Sequence, residues 1–234
     1  MPRPKPRPAR SRARPASTRP DVKAEIRSWN PERLLEFALE VVDTTPEIRR
    51  QLERVLEAKG DPGEAVPRLK EQVDSVLSVG FIEESEVDAF IAQCDGVLKA
   101  ILALGERSPK EALELVWYYL EETPKTFDEV HDEVEQAMFC RDLMEAAVKL
   151  ARASNAPELI LGTKLLDAYI ADEYGKMDNA VDVILAASLS TETRQALAVV
   201  AKERAKGLDE YEKKKVIRFA GQLMTGKTSS RRSL

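Results

Sequence analysis

In "EVDAFIAQCDGVLKAILALGERSPKEALELVWYYLEE", residues 86–122, apolar side chains fall at Val87, Phe90, Ile91, Cys94, Leu98 and Ile101. That is the three-and-four spacing of one helix face, not the alternation of a half-buried strand. Gly105 stops the helix, and Ser108-Pro109-Lys110-Glu111 starts another with a capping hydroxyl, a proline at the first helical position and a glutamate at the box spacing. Two helices joined by so short a turn run antiparallel. The stretch is one helical hairpin.

The same grammar recurs on both sides. Asn30-Pro31 and Thr45-Pro46 repeat the cap-then-proline signal, and Thr126 with Glu129 and Asp209 with Glu212 repeat the box. Leu34, Leu35, Ala38, Val41 and Val42 keep the helical period. Ten helices are predicted, at 31–43, 46–59, 66–79, 84–104, 109–122, 127–153, 157–173, 177–188, 191–206 and 209–224, with Gly60, Gly63 and Gly80 in further short connections. The expected fold is all-α, antiparallel helical hairpins stacked as an α-solenoid-like array. No fixed-length repeat is legible, which such an array tolerates because each hairpin needs only an apolar face for its neighbour.

Composition bounds the function. A hydrophobic content of 43% suits a chain with a core. The apolar runs are broken by charge before the roughly 18 residues a membrane span requires, and the N-terminus lacks the apolar stretch of a secretory signal. Cys94 and Cys140 stand apart with no C-x-x-C pairing, so neither a disulfide framework nor a structural zinc site is encoded. A cytoplasmic protein without membrane, cofactor or metal is expected.

Charge is unevenly spread. Arg3, Lys5, Arg7, Arg10, Arg12, Arg14 and Arg19 lie in the first 20 residues with no acid, and Lys227, Arg231 and Arg232 close the chain. Between residues 21 and 226 this leaves 26 basic against 41 acidic residues. Three parts follow: a basic Pro/Arg-rich leader (1–25) expected to be disordered with polyproline-II character, one helical domain (26–226), and a basic tail (227–234). The leader's seven cations are the candidate nucleic-acid contacts, giving salt-sensitive binding without sequence preference. A solvated leader, or one resting on an acidic body, accounts for the same letters.

Several motifs suggest chemistry. "GQLMTGKTSS", residues 221–230, satisfies G-x-x-x-x-G-K-[ST], but Val216, Phe219, Ala220 and Leu223 upstream keep helical spacing, and only six residues follow Thr228. A phosphate loop needs a strand before it and a helix after it. The single histidine, His131, stands among Asp128, Asp132 and Glu135, and Cys140 is nine residues on, about 180° round a helix at about 100° per residue. A solvated helix N-terminus explains those acids as well as a metal or acid–base site does. Cys94 and Cys140 sit in line with apolar neighbours, as small hydrophobes do. Trp117, Tyr118 and Tyr119 occupy successive positions and so face three sides of one helix. Either a helix between two neighbours or an exposed partner anchor accounts for them, and they are the candidate partner-binding residues. Lys213, Lys214, Lys215 and Arg218 form the basic cluster of the body.

"IRSWNPERLLEFALEVVDTTPEIRRQLE" (26–53), "GFIEESEVDAFIAQCDGVLKAIL" (80–102), "KEALELVWYYLEETPKTFDEV" (110–130) and "NAPELILGTKLLDAYIADEYGKMDNA" (155–180) resemble the uncharacterised all-helical domain that follows SWIM-type zinc fingers in many bacterial proteins and also occurs alone. The resemblance spans roughly residues 26–190. Its most specific pieces are Gly80-Phe81 with the acids after it, and the Pro157 helix leading to Asp172, Glu173 and Tyr174. The zinc finger has no counterpart here; Glu129 and Asp132 keep the acidic character of the family's turn before its longest helix; and Ala146 and Leu150 stand near a histidine and a cysteine common in that family. The resemblance implies a helical-repeat fold and no known activity. The expected function is a non-catalytic scaffold that binds another protein, with no small-molecule substrate. The alternative is a nucleic-acid accessory protein that binds through the leader.

Overall fold

The computed structural model describes residues 22–127, 133–172 and 175–226. Among them the elements are α1 (Val22–Arg27), α2 (Pro31–Thr44), α3 (Pro46–Ala58), α4 (Pro62–Leu77), α5 (Val87–Gly105), α6 (Pro109–Phe127), α7 (Glu133–Ala153), α8 (Glu158–Ala171), α9 (Ala180–Ala186), α10 (Thr191–Arg204) and α11 (Glu210–Thr225), with 3-10 turns at Glu84–Glu86 and Ala205–Gly207. No strand occurs among the described residues, and the protein is an all-α helical array.

Caps set several boundaries. Asn30 Oδ1 accepts from the Arg33 amide at 2.8 Å, and Asp209 Oδ1 accepts from the amides of Tyr211 and Glu212 at 2.8 Å each, so α2 and α11 start where the sequence places them. Elsewhere the structure departs from the sequence reading. The helix expected from 66 begins at Pro62, because the Asp61 carbonyl accepts from the Glu64 and Ala65 amides and Gly63 joins the first turn. The break expected at 123–126 is helix, because α6 runs on through Pro124 to Phe127. Thr126 is thus within the last turn of a helix, and its expected partner Glu129 lies outside the described residues. The helix α1 begins within the stretch expected to be disordered.

The chain divides into two units, Met1–Ile48 and Arg49–Leu234. In the first, Trp29 meets Phe37 edge-on at 5.3 Å, Arg33 lies 4.4 Å over the Trp29 ring, and the indole N–H donates to Glu25 at 3.1 Å. These contacts seat the α1–α2 corner.

In the second unit most helices pack on their successor, and often on the next but one. The pairs run α4 on α5 and α6, α5 on α6 and α7, α6 on α7, α7 on α8 and α9, α8 on α9 and α10, and α10 on α11. The core is therefore a continuous seam, with Ile101 and Leu104 of α5, Tyr119 of α6, Leu143 of α7, Leu165 of α8 and Phe219 of α11 fully buried along it. Two glycines let helices close up. A Cβ on Gly105 would lie 2.3 Å from Leu150 Cδ2, and one on Gly162 would lie 2.8 Å from Leu197 Cδ2. Between α5 and α6, Arg107 reaches back to the Lys59 and Gly60 carbonyls at the end of α3, where a cation suits the helix dipole.

Candidate functional site

The aromatic triplet on α6 is claimed by the protein itself. Tyr119 is fully buried, stacks edge-on to Phe139 at 5.4 Å, and donates its hydroxyl to the Cys94 carbonyl at 3.3 Å. Trp117 is 8% exposed, with the Lys164 ammonium 5.3 Å from its ring. Both are core residues and not surface anchors, because α6 is flanked by α4 and α5 and by α7. Tyr118 is half-buried, its hydroxyl donates to Asp74, and Lys70 stands 4.5 Å over its ring. The hydrogen bond to Asp74, ahead of any burial, pushes that phenol up to about 12.

Other candidates separate in space. The seven leader cations Arg3, Lys5, Arg7, Arg10, Arg12, Arg14 and Arg19 lie outside the described residues, as do Asp128, His131 and Asp132; Glu135 is half-buried on α7. Gly221 is inside α11, and Gly226, at φ +65°, ends that helix in the left-handed conformation with its amide donating to the Gln222 carbonyl at 2.9 Å. The described part of the phosphate-loop match is thus a helix end, with Lys227 and Thr228 beyond the described residues. Burial pushes both thiols, Cys94 and Cys140, up to about 12, so each is a protonated hydrophobe at neutral pH. The basic cluster of α11 is divided: Lys213 pairs with Glu210 at 3.5 Å, while Lys215 turns inward with its side chain 15% exposed.

Lys215 belongs to a buried polar knot that composition alone does not reveal. Asp172 follows the end of α8 with its side chain 1% exposed, and its two carboxylate oxygens accept from the Lys176 amide at 3.1 Å and the Met177 amide at 2.8 Å. Lys215 donates to the Asp172 carbonyl at 2.8 Å, stands 3.7 Å from its carboxylate, and lies 4.5 Å over the Tyr169 ring. The carboxylate organises the connection from α8 to α9, and the ammonium ties it to α11. Gly175, at φ +79°, supplies the turn conformation that other residues rarely adopt. The letters "DEYGK" around that glycine carry the signal of a tight turn, and nothing in them reveals that Lys215 arrives from 43 residues away.

At the far end of α7 a similar closure binds two connections. Arg152 donates to the Ala187 carbonyl at 2.6 Å, and Glu158 accepts from the Ser190 amide at 3.1 Å and the Thr193 hydroxyl at 2.8 Å. Those donors hold the Glu158 carboxyl below the ordinary carboxylate value.

Among the described residues an open groove of about 410 Å³ lies between α5 and α7, besides a concavity of about 310 Å³ beside the Arg152 and Glu158 closure. Leu98, Leu102 and Ala146 form the apolar part of the groove; Asp95, Asp142 and Glu145 stand towards one end, with Lys99 one turn beyond Asp95 and Lys149 one turn beyond Glu145. Glu145 is paired with Arg141 at 2.8 Å. Asp95 and Asp142 make no ion pair or hydrogen bond among the described residues. Partial burial, then the neighbouring Asp95 and Glu145 charges, raise the Asp142 carboxyl. The sequence signal was Asp95-Gly96 inside the otherwise apolar face of α5, legible as an oddity and without meaning until α7 brings Asp142 opposite. The groove offers carboxylates and a greasy strip, the means to hold a cationic side chain and its alkyl stem.

Fold and surface together define an all-α protein of packed helices with a mixed apolar and acidic groove among the described residues. The chain belongs to a family of unknown function, DUF6880, which matches residues 23–233. No curated protein and no solved structure matches it.

Proposed function

We propose that the protein is a non-catalytic helical-repeat scaffold that binds another protein, and that the α5/α7 groove is its docking face for a cationic segment. The supporting observation is the pair Asp95 and Asp142, two carboxylates on different helices beside an apolar strip, neither in an ion pair among the described residues, with Arg141 near Asp142 but bonded to Glu145. Leaving like charges together costs free energy, and a partner's arginine or lysine relieves it. A cytoplasmic setting and the bacterial, SWIM-associated kinship implied by the resemblance belong to the same proposal.

The test is fluorescence anisotropy of a labelled arginine-rich peptide titrated with the whole protein and with D95N/D142N. The double variant is expected to bind about tenfold more weakly, the equivalent of about 1.4 kcal/mol. Equal binding by both proteins removes the groove from the reading. The second reading, a nucleic-acid accessory role through the leader, rests on its seven cations. It predicts salt-sensitive anisotropy with labelled RNA or duplex DNA that D95N/D142N leaves unchanged.

A further inference from the structure

The hollow of about 310 Å³ where α7 and α9 end and α8 begins is lined by one cation and one anion, Arg152 and Glu158, that form no ion pair with each other. We infer that this hollow is a binding site for a free α-amino acid with an aliphatic side chain. Its carboxylate meets Arg152, its ammonium meets Glu158, and its side chain lies on the alanines and leucines of the wall. The site shares no residue with the α5/α7 groove and does not rest on the reading of that groove.

Each charge is held in place by a neighbouring turn and keeps an unused side. Arg152 Nη2 donates to the Ala187 carbonyl at 2.6 Å, while Glu158 Oε2 accepts both the Ser190 amide at 3.1 Å and the Thr193 hydroxyl at 2.8 Å. Arg152 Nε and Nη1 and Glu158 Oε1 are left without a protein partner among the described residues. A guanidinium with free N–H groups matches a carboxylate, and a carboxylate oxygen with no donor matches an ammonium. Both protein groups are charged at neutral pH, since arginine always is and the Glu158 carboxyl is held below its ordinary value. The pair is therefore the complement of a zwitterion.

The wall selects the rest of the ligand. Ala151, Leu161, Ala187 and Leu189 are buried and Ala156 half-buried, so the lining between the polar groups is aliphatic. An aliphatic side chain gains from that surface, and a charged one would lose its water there. The volume stands at the low end of the roughly 300–1,000 Å³ of ligand pockets, which suits one small molecule. Asn155, the third polar residue of the lining, has a side-chain amide with no partner among the described residues. It adds a donor and an acceptor beside the two charges.

The hollow is also shaped in advance. At the end of α7 the Ala156 amide donates to the Ala151 carbonyl at 2.8 Å and the Asn155 amide to the Arg152 carbonyl at 3.2 Å, with Asn155 at φ +53°. This double closure fixes the turn that carries Asn155. After α9, Ser188 stands at φ +48°, a left-handed conformation unfavourable to serine, between the Ala187 that holds Arg152 and the Leu189 of the wall. A lining already held in one shape loses little freedom when a ligand enters.

The test is isothermal titration calorimetry of the full chain with L-leucine, with N-acetyl-leucine, which lacks the ammonium, and with leucinamide, which lacks the carboxylate. Leucine is expected to bind at least about tenfold more tightly than either. In Glu158→Gln the preference over N-acetyl-leucine should vanish while that over leucinamide stays; in Arg152→Gln the reverse should hold. Damage to the fold weakens all three ligands alike and cannot produce this crossed pattern. Asn155→Gly keeps the left-handed turn, drops the amide and should weaken leucine several-fold, and D95N/D142N should bind leucine as the parent does. Absence of leucine binding to the parent overturns the inference. So does N-acetyl-leucine binding as tightly as leucine, which would assign the hollow to the carboxyl end of a peptide. Equal losses for all three ligands in Glu158→Gln and Arg152→Gln overturn it as well. If those two variants fail to fold, unchanged leucine affinity in Asn155→Gly does the same.

Discussion

Asp172 illustrates how one residue can hold a region together. Its carboxylate accepts two backbone N–H groups and faces the Lys215 ammonium, all out of water. Removing it strands two backbone amides and leaves the Lys215 ammonium, still donating to the Asp172 carbonyl, without its counter-charge. Asp172→Ala should lower the unfolding free energy by roughly 2–4 kcal/mol, read from the denaturant midpoint at an unchanged slope. The cysteines give a residue-scale prediction of the opposite kind. With both thiols buried and pushed up to about 12, a thiol reagent at pH 8 should label neither in the folded protein and both in denaturant. Labelling of the native protein at a rate set by the free thiolate would contradict the burial. The sequence reading placed both cysteines on apolar faces, and it left Trp117 to Tyr119 open between core and anchor because periodicity gives the angle between side chains and not which neighbours meet them.

Where a helix begins and how near it comes to its neighbour are decided element by element. Asn30 and Asp209 were legible because a cap acts within three residues of itself. The run of α6 through Pro124 was not. Thr123 donates to the Tyr119 carbonyl at 2.7 Å and packs in the core, so tertiary burial carries the helix past a residue that ordinarily breaks it. At the α8–α10 crossing, Gly162→Ala should cost about 1–3 kcal/mol because the fully buried Leu197 lies in the way of the new methyl; Leu197→Ala in the same chain should recover part of the glycine variant's loss if that contact is the cause. The Glu158 bridge between α8 and α10 has a pH signature. Its folded carboxyl is lowered from 4.5, so its contribution is complete above that value and is lost as pH falls through the lowered one. Acid melts of Glu158→Gln should therefore lose less stability below pH 4.5 than those of the parent. Identical acid profiles would show that the bridge contributes nothing.

For the molecule as a whole the decisive quantity is where its negative charge gathers. Asp142 has a raised carboxyl, so its charged form is disfavoured on folding: neutralising it should raise the melting temperature at neutral pH, and the gain should vanish as pH falls through the raised value. The groove variant D95N/D142N is thus expected to be more stable and a poorer binder than the parent, the trade expected of a binding site that keeps strain for its partner. A melting temperature at pH 7 that falls would show the two carboxylates to be stabilising, and their role as an unsatisfied pair would be lost. The sequence by itself determined the helical class, the caps at Asn30 and Asp209, the helix end hidden in "GQLMTG" and the split between basic leader and acidic body, because each depends on neighbours a few residues apart or on composition. Only the tertiary structure decided that Lys215 points inward to Asp172, that Trp117 and Tyr119 are core and that Asp95 faces Asp142. Those facts depend on which helix faces lie against each other across gaps of 43, 20 and 47 residues, and a helical period fixes the direction of a side chain without fixing what it meets.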